Sequence, residues 1–310
     1  MDYLDIIGNA YSGYFNYLTS EILNPSWHNY FYWLIGLSLL AWMLEVVWPW
    51  REKQALIRKD FWLDVFYMFF NFFLFSLIVY NALSEVAVNA FNDFLGLFGV
   101  ENLIAIEINS WPVWAQLLLL FILVDFIQWN VHRLLHRVPW LWNFHKVHHS
   151  VEEMGFAAHL RFHWMETIVY KTIQYIPVAM IGFGLDDFFL VHIVALTIGH
   201  LNHSNIPLSY GPFKYILNNP KMHIWHHLKY MPKERPYGMN YGLSLSIWDY
   251  LFGTAYVPNN GRDIEIGIPE QDQVPPGFIG QMFMPFKKHD SGQVSQETIF
   301  EKIPKKGNSI

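Results

Sequence analysis

No cysteine occurs among the 310 residues. That absence excludes disulfides, thiolate-ligated haem, cysteine-ligated iron–sulfur clusters and cysteine zinc sites. Charge is scarce too: Asp, Glu, Lys and Arg make up 15% of the chain, against about 25% in ordinary soluble domains. The formal net charge of −6 leaves no basic field of the kind a nucleic-acid partner needs. No glycine fingerprint for a dinucleotide follows a strand pattern, and no fused haem domain is recognisable. What is plentiful is apolar. Hydrophobic residues reach 53%, with 26 Phe, 17 Tyr and 14 Trp, and mean hydropathy is +0.17. So few charges cannot shield that surface from water, and the balance fits a polytopic membrane protein.

A helical span needs about 20 mainly apolar residues. Tyr30–Val47 and residues 61–80, 113–129, 167–183 and 188–201 meet or approach that length. The last two are split by residues 184–187 and form either two spans or a re-entrant hairpin. A second absence orients them. No Lys or Arg occurs before Arg51, between Lys59 and Arg133, or between Lys171 and Lys214. Those gaps hold only acids, among them Asp2, Asp5, Glu85, Asp93, Glu107, Asp186 and Asp187. The positive-inside rule therefore predicts an external N-terminus, with Arg51–Lys59, Arg133–Lys146, Arg161, Lys171 and the chain after Lys214 in the cytoplasm. The start of the chain has no basic n-region and no cleavage site, which argues against a removable signal peptide. Residues 84–100 read as an interfacial helix on the outer face or a loop helix packed on the spans. After Pro258 the chain turns polar. Within it Phe278, Ile279, Met282, Phe283, Met284 and Phe286 precede Lys287 and Lys288, as either a membrane-docking patch or a packed turn. The expected organisation is a transmembrane bundle with a catalytic cap over residues 1–257 and a polar cytoplasmic tail over 258–310.

Thirteen of the 15 histidines fall between His132 and His227. Four groups stand out: His132 and His136; His145, His148 and His149; His200 and His203; His223, His226 and His227. Spacings of three and four place imidazoles one turn apart on one helix face. Adjacent pairs such as His148/His149 and His226/His227 point about 100° apart, so each pair can serve two neighbouring ions. A single His-x-x-His-His is expected by chance about 0.03 times at this histidine frequency, and the chain has two. The topology brings all ten to the cytoplasmic face. One ion rarely takes more than about four protein imidazoles, so ten imply two ions. An all-nitrogen pair with no carboxylate in its motifs suits redox chemistry, with iron the first choice and O2 the co-substrate. Beside lipid chains such a centre suits attack on an unactivated C–H bond.

These residues resemble the fatty acid hydroxylase/sterol desaturase superfamily. The stretches 125–137 (DFIQWNVHRLLHR) and 141–150 (LWNFHKVHHS) carry its first boxes. Residues 223–227 (HIWHH) match its last box, and 248–254 (WDYLFGT) resemble its closing signature. The likeness runs over about 125–256 and implies an integral-membrane dimetal oxygenase acting on lipid C–H bonds with O2 and two external electrons. By motif, His132, His136, His145, His148, His149, His223, His226 and His227 carry over as ligands, and His200 and His203 match a middle group of varying spacing.

Other residues are candidates for the surroundings of the site. Asp125 lies two turns before His132 and is expected to accept from a ligand imidazole. His159 and His163 form a further pair one turn apart, readable as ligands or, as the favoured readings, as residues that hydrogen-bond the ligands or form a polar collar at the interface; Asn240 is either a turn residue or a contact through water. The expected fold is an all-α integral membrane protein with four to five membrane-embedded helices and a cytoplasmic histidine-rich cap. The expected function is O2-dependent hydroxylation of a fatty acyl, sterol or related lipid, with desaturation as the alternative outcome at the same centre. A membrane zinc hydrolase would place a Glu beside its motif, as in His-Glu-x-x-His, and none is present. A metal carrier would place ligands along a path at mid-bilayer. Without an internal redox cofactor, the electrons must come from an external reductase or carrier protein.

Overall fold

The apolar stretches form helices, and the computed structural model describes residues 3–100, 104–106, 108, 110–181, 183 and 185–287. Among these no strand occurs, only two isolated bridges, Leu217–Leu245 and Leu228–Ile266. Asp2, Glu107, Gly184 and the end of the tail with Lys288 and His289 lie outside the described residues.

Helix α1 (Tyr3–Leu23) was not anticipated, because its polar residues interrupt the apolar signal. It packs along α4 (Asn81–Gly96), so the expected interfacial segment is a helix seated on another helix. Helix α2 (Tyr30–Val47) buries Leu34, Ser38, Ala41 and Glu45, a single stripe at helical spacing, and leaves its other faces outward. It stops at Trp48 because Pro49 cannot continue it. Helix α3 (Phe61–Phe69) runs on through two π-helical stretches, Phe70–Leu74 and Ser76–Tyr80.

Helix α5 (Val113–Arg137) is longer than the 17 residues expected and carries His132 and His136 in its last turns. At 1.5 Å per residue its 25 residues span about 37 Å. That exceeds the roughly 30 Å of a bilayer's hydrocarbon core. Val138 is extended ahead of Pro139, which opens α6 (Pro139–His149) at its first position. This sharp corner lays the second histidine box beside the first.

Helix α7 (Trp164–Ile181) and α8 (Leu185–His203) form the following pair. The short α9 (Pro220–His226) starts at Pro220, with the Asn219 side chain accepting from Met222 N. The small α10 (Ile247–Leu251) and α11 (Phe278–Phe283) follow. Helix α8 packs on α2, α5 and α9, which draws the histidine-bearing ends together. Two helices, Tyr30–Val47 and Val113–Arg137, are long and apolar enough to cross a membrane; Phe61–Leu74 and Phe189–His203 are apolar but shorter.

The described part of the C-terminal region, up to Lys287, folds back over the cap. Gly267 N donates to His227 O at 3.2 Å, Gln271 to Ser150 O at 2.8 Å, and Tyr67 Oη to Gln281 at 2.9 Å. Phe278 packs among Phe66, Tyr67 and Phe70. Ile279, Phe283 and Phe286 face outward, while Met282 and Met284 are buried. One apolar strap thus packs on its inner side and exposes an outer one.

Candidate metal centre

Nine of the ten histidines singled out in the sequence meet in two adjacent groups. The first holds His132, His136, His145, His149 and His226; the second holds His148, His203, His223 and His227. All nine are buried, and within each group one ring nitrogen per residue lies within 4.8 Å of the others. The adjacent imidazoles diverge as helix geometry requires. His145 and His149 serve the first group and His148 the second; His223 and His227 serve the second and His226 the first. Each box thus gives two nitrogens to one group and one to the other. The two groups abut, with the His149 and His227 rings 4.5 Å apart.

Five of the nine rings are aimed by what their other nitrogen touches. Nδ1 of His132 donates to Tyr241 O (2.8 Å), of His226 to Met239 O (2.7 Å), of His148 to Arg161 O (3.1 Å) and of His203 to Gly199 O (2.8 Å). Nδ1 of His145 donates to the Glu166 carboxylate at 2.8 Å. A neutral ring whose Nδ1 carries the proton presents a bare lone pair at Nε2. Burial, and then the neighbouring imidazoles, holds His145, His149, His223, His226 and His227 well below the usual histidine range. His148 is pushed down to about 3, chiefly by burial. Neutral rings are the ligating form.

The donor set fits a cation in each group. Nε2 of His132 lies 3.1 Å from Nε2 of His145, and Nε2 of His203 lies 3.4 Å from that of His148. In all four rings the proton is already committed at Nδ1, so these are lone pairs facing lone pairs, an arrangement that a shared cation stabilises. In the second group the Nε2 atoms of His203 and His223 are 2.9 Å apart, and those of His223 and His227 3.2 Å. Metal–nitrogen bonds of about 2.1 Å give ligand–ligand edges of roughly 3.0 Å in an octahedron and 3.4 Å in a tetrahedron. Nε2 of His136, His149 and His226 is buried with no hydrogen-bond partner among the described residues. Three such orphans in one group are what ligand atoms leave when considered without their ion.

The remaining candidates fall elsewhere. Asp125 does not touch a ligand imidazole. It accepts from Ser244 N (2.9 Å), Leu245 N (3.2 Å) and Trp248 Nε1 (2.9 Å). Two helical turns give the right face but about 10 Å of axial distance from His132, so this carboxylate serves the closing loop. Asn240 has φ 53° and is a turn residue that donates to Met222 O and Tyr256 O. It holds the loop whose flanking carbonyls, at Met239 and Tyr241, aim His226 and His132. His163 accepts from Met165 N and donates from Nε2 to Met282 O at 3.0 Å, pinning the C-terminal strap. His200 lies outside both groups, with Nε2 3.1 Å from Ser38 Oγ and Nδ1 3.0 Å from His159 Nδ1.

Sequence reasoning missed Glu166, the one carboxylate among the described residues that bonds a member of the two groups; its only signal was its place three residues after His163. It also missed Asp249, which accepts from Trp129 Nε1, Tyr241 N, Gly242 N and Thr254 Oγ1 and so fixes the backbone that orients His132. Arg161 is a third. It is buried against Asp60, Asp64 and Ser150, and its own carbonyl orients His148. A cleft of about 320 Å³ opens onto His136 and His149 between Trp142, Leu228, Tyr237 and Ile268. The Trp142 ring lies 4.9 Å from His136 and 5.2 Å from His149.

Among the described residues the chain is helical, without strands, and carries two abutting, buried, all-imidazole groups that could each hold a metal ion. Residues 117–254, which contain every histidine of both groups, match the fatty acid hydroxylase family. The likeness to the fatty acid hydroxylase superfamily is therefore borne out over that segment. The chain is 33% identical over 197 residues to an ornithine lipid hydroxylase of Rhizobium tropici, covering 62% of this chain and 58% of that protein. It is 31% identical over 191 residues to the alkylglycerol monooxygenase of Xenopus tropicalis, covering 59% and 40%. A very-long-chain aldehyde decarbonylase of Oryza sativa subsp. japonica is 28% identical over 143 residues, covering 45% and 46%. The chain thus spans about half the length of these relatives, all of them oxidoreductase-type enzymes by name. No solved structure gives a significant match.

Proposed function

We propose that this protein is an integral-membrane, O2-dependent oxygenase that hydroxylates a C–H bond of a lipid at a pair of iron ions held by these histidines. The observation that carries the reading is the pairing of five and four buried imidazoles, three of which, His136, His149 and His226, turn a buried Nε2 with no hydrogen-bond partner among the described residues into the first group. The lipid-hydroxylase and monooxygenase names of the relatives support the reaction class. In this reading four to five helices are embedded in the membrane, the N-terminus is outside and the histidine cap is cytoplasmic, as the distribution of Lys and Arg supports.

Two such ions supply O2 activation for oxygen insertion into an unactivated bond. The protein's own part is positioning. The carbonyls of Tyr241, Met239, Arg161 and Gly199 and the Glu166 carboxylate hold the rings in one tautomer. The cleft past Trp142 gives a lipid access to the first group. Two electrons per turnover come from an external carrier, for which the basic residues Arg137 and Lys229 at the cleft offer a docking rim.

The deciding experiment is anaerobic metal analysis of the purified protein, followed by product analysis with lipid extract, reductant and ¹⁸O2. Two irons and ¹⁸O in a lipid alcohol are expected. An unlabelled alkene would favour desaturation, and zinc with turnover independent of O2 would sink the oxygenase reading.

A further inference from the structure

The two groups are related by a near-repeat. In the first, the box on α6 gives His145 and His149, the box on α9 gives His226, and α5 adds His132 and His136, one turn apart. In the second, the box at α9 gives His223 and His227, α6 gives His148, and α8 adds His203 alone. The counterpart of the missing nitrogen would lie one turn before His203, at position 199. That residue is glycine, and a Cβ there would stand 2.1 Å from Nε2 of His159 and 2.2 Å from its Cε1. The His159 ring occupies the place that a fifth side chain on α8 would need. Its centroid lies 5.2 Å from that of His203, but His159 stands outside the group of four, its ring nitrogens not lying within 4.8 Å of all of theirs, and ligation needs the ring to close on them.

The hydrogen-bond chain around His159 leaves the correct nitrogen bare. Ser38 Oγ donates to Met68 Sδ (3.3 Å), so it accepts from His200 Nε2 (3.1 Å). A neutral His200 protonated at Nε2 has a lone pair at Nδ1, which accepts from His159 Nδ1 at 3.0 Å. His159 therefore carries its proton at Nδ1 and its lone pair at Nε2. That is the tautomer of His132, His145, His148, His203 and His226, each with Nδ1 spent on an acceptor.

We infer that His159 is the fifth nitrogen ligand of the second metal ion, that Gly199 is the notch that admits its ring, and that His200 is a positioning residue that orients it. This deepens the dimetal reading above and rests on it. It gives the two ions equal histidine shells of five and removes His200 from the ligand set.

The test is metal retention by the full-length protein, loaded anaerobically with iron and challenged with a chelator, without lipid or O2. Wild type is expected to hold two ions. His159→Asn and Gly199→Ala are expected to lose one of the two about ten- to a hundredfold faster while the other stays at the wild-type rate. His200→Gln, which keeps an acceptor for His159, is expected to fall between. The unchanged ion serves as the control for folding. X-ray absorption should count about half an imidazole per iron fewer in His159→Asn, a change that a merely structural role would not produce. Wild-type retention of both ions in His159→Asn and Gly199→Ala would overturn the assignment, as would loss of both ions together. Fewer than two ions in wild type would instead sink the dimetal reading itself, and the assignment with it. Two retained ions without lipid turnover would remove only the proposed activity.

Discussion

A ligand imidazole works only if its far nitrogen is held, and at the residue scale that need explains the carboxylate buried among the histidines. Glu166 accepts from His145 Nδ1 through Oε2 and from His163 N through Oε1. One side chain thereby joins a ligand to the start of α7. Its removal frees the His145 ring to turn and leaves a buried N–H without an acceptor. Glu166→Ala is expected to weaken retention of the first ion by about tenfold or more, and Glu166→Gln, which keeps an acceptor oxygen, to recover most of it. The same chelator challenge measures both, and an unchanged first ion in Glu166→Ala would contradict this role. The nine grouped histidines were legible because spacing along a helix is a local property, readable without any tertiary contact. Glu166 and the carbonyls of Met239 and Tyr241 were not, since each meets its histidine only after distant segments pack. His200 misled because it sits beside His203 in sequence, while one face of α8 turns His203 inward and another turns His200 to Ser38.

Elements matter here for how they end. Helix α5 stops at Arg137 because Val138 precedes Pro139, and the resulting corner sets one histidine box against the next. The sequence pattern placed this helix correctly but cut it at residue 129, since the apolar signal fades where the histidines begin. Asp125 shows the limit of reasoning from helix faces. Periodicity gives direction, whereas a hydrogen bond also needs distance, and the loop around Ser244 was out of view. That loop carries no side-chain signal for its partner. Asp125 nonetheless ties α5 to it through three donors, two of them backbone N–H groups. Asp125→Asn replaces one acceptor oxygen by a donor facing donors. The expected cost is about 2 kcal/mol of stability, seen as a lower midpoint in thermal unfolding of the solubilised protein, with both ions still bound beforehand. An unchanged midpoint would show that the loop is held by its other contacts.

For the whole molecule, the scarcity of charge and the absence of cysteine combine into a way of testing orientation. Helices α1 and α4 pack on each other and, in the proposed topology, lie at the outer face; the histidine cap and its cleft lie at the inner one. The physical reason is the one-sided distribution of Lys and Arg, because basic loops are retained on the cytoplasmic side. A chain with no cysteine needs no background removed before single thiols are introduced. Asn92→Cys, on exposed α4, and Lys233→Cys, beside the cap, place one thiol at each face of the proposed arrangement. In intact cells or sealed right-side-out vesicles, a membrane-impermeant maleimide is expected to label the thiol at position 92 directly. The thiol at 233 is expected to label only after the membrane is opened. Both variants should retain wild-type metal content, since neither position belongs to the two histidine groups. The reverse labelling pattern would invert the topology and put the site, with its demand for a cytoplasmic reductant, on the wrong side of the membrane. Labelling of both thiols without permeabilisation would show that the two apolar helices Tyr30–Val47 and Val113–Arg137 do not separate these faces by a bilayer.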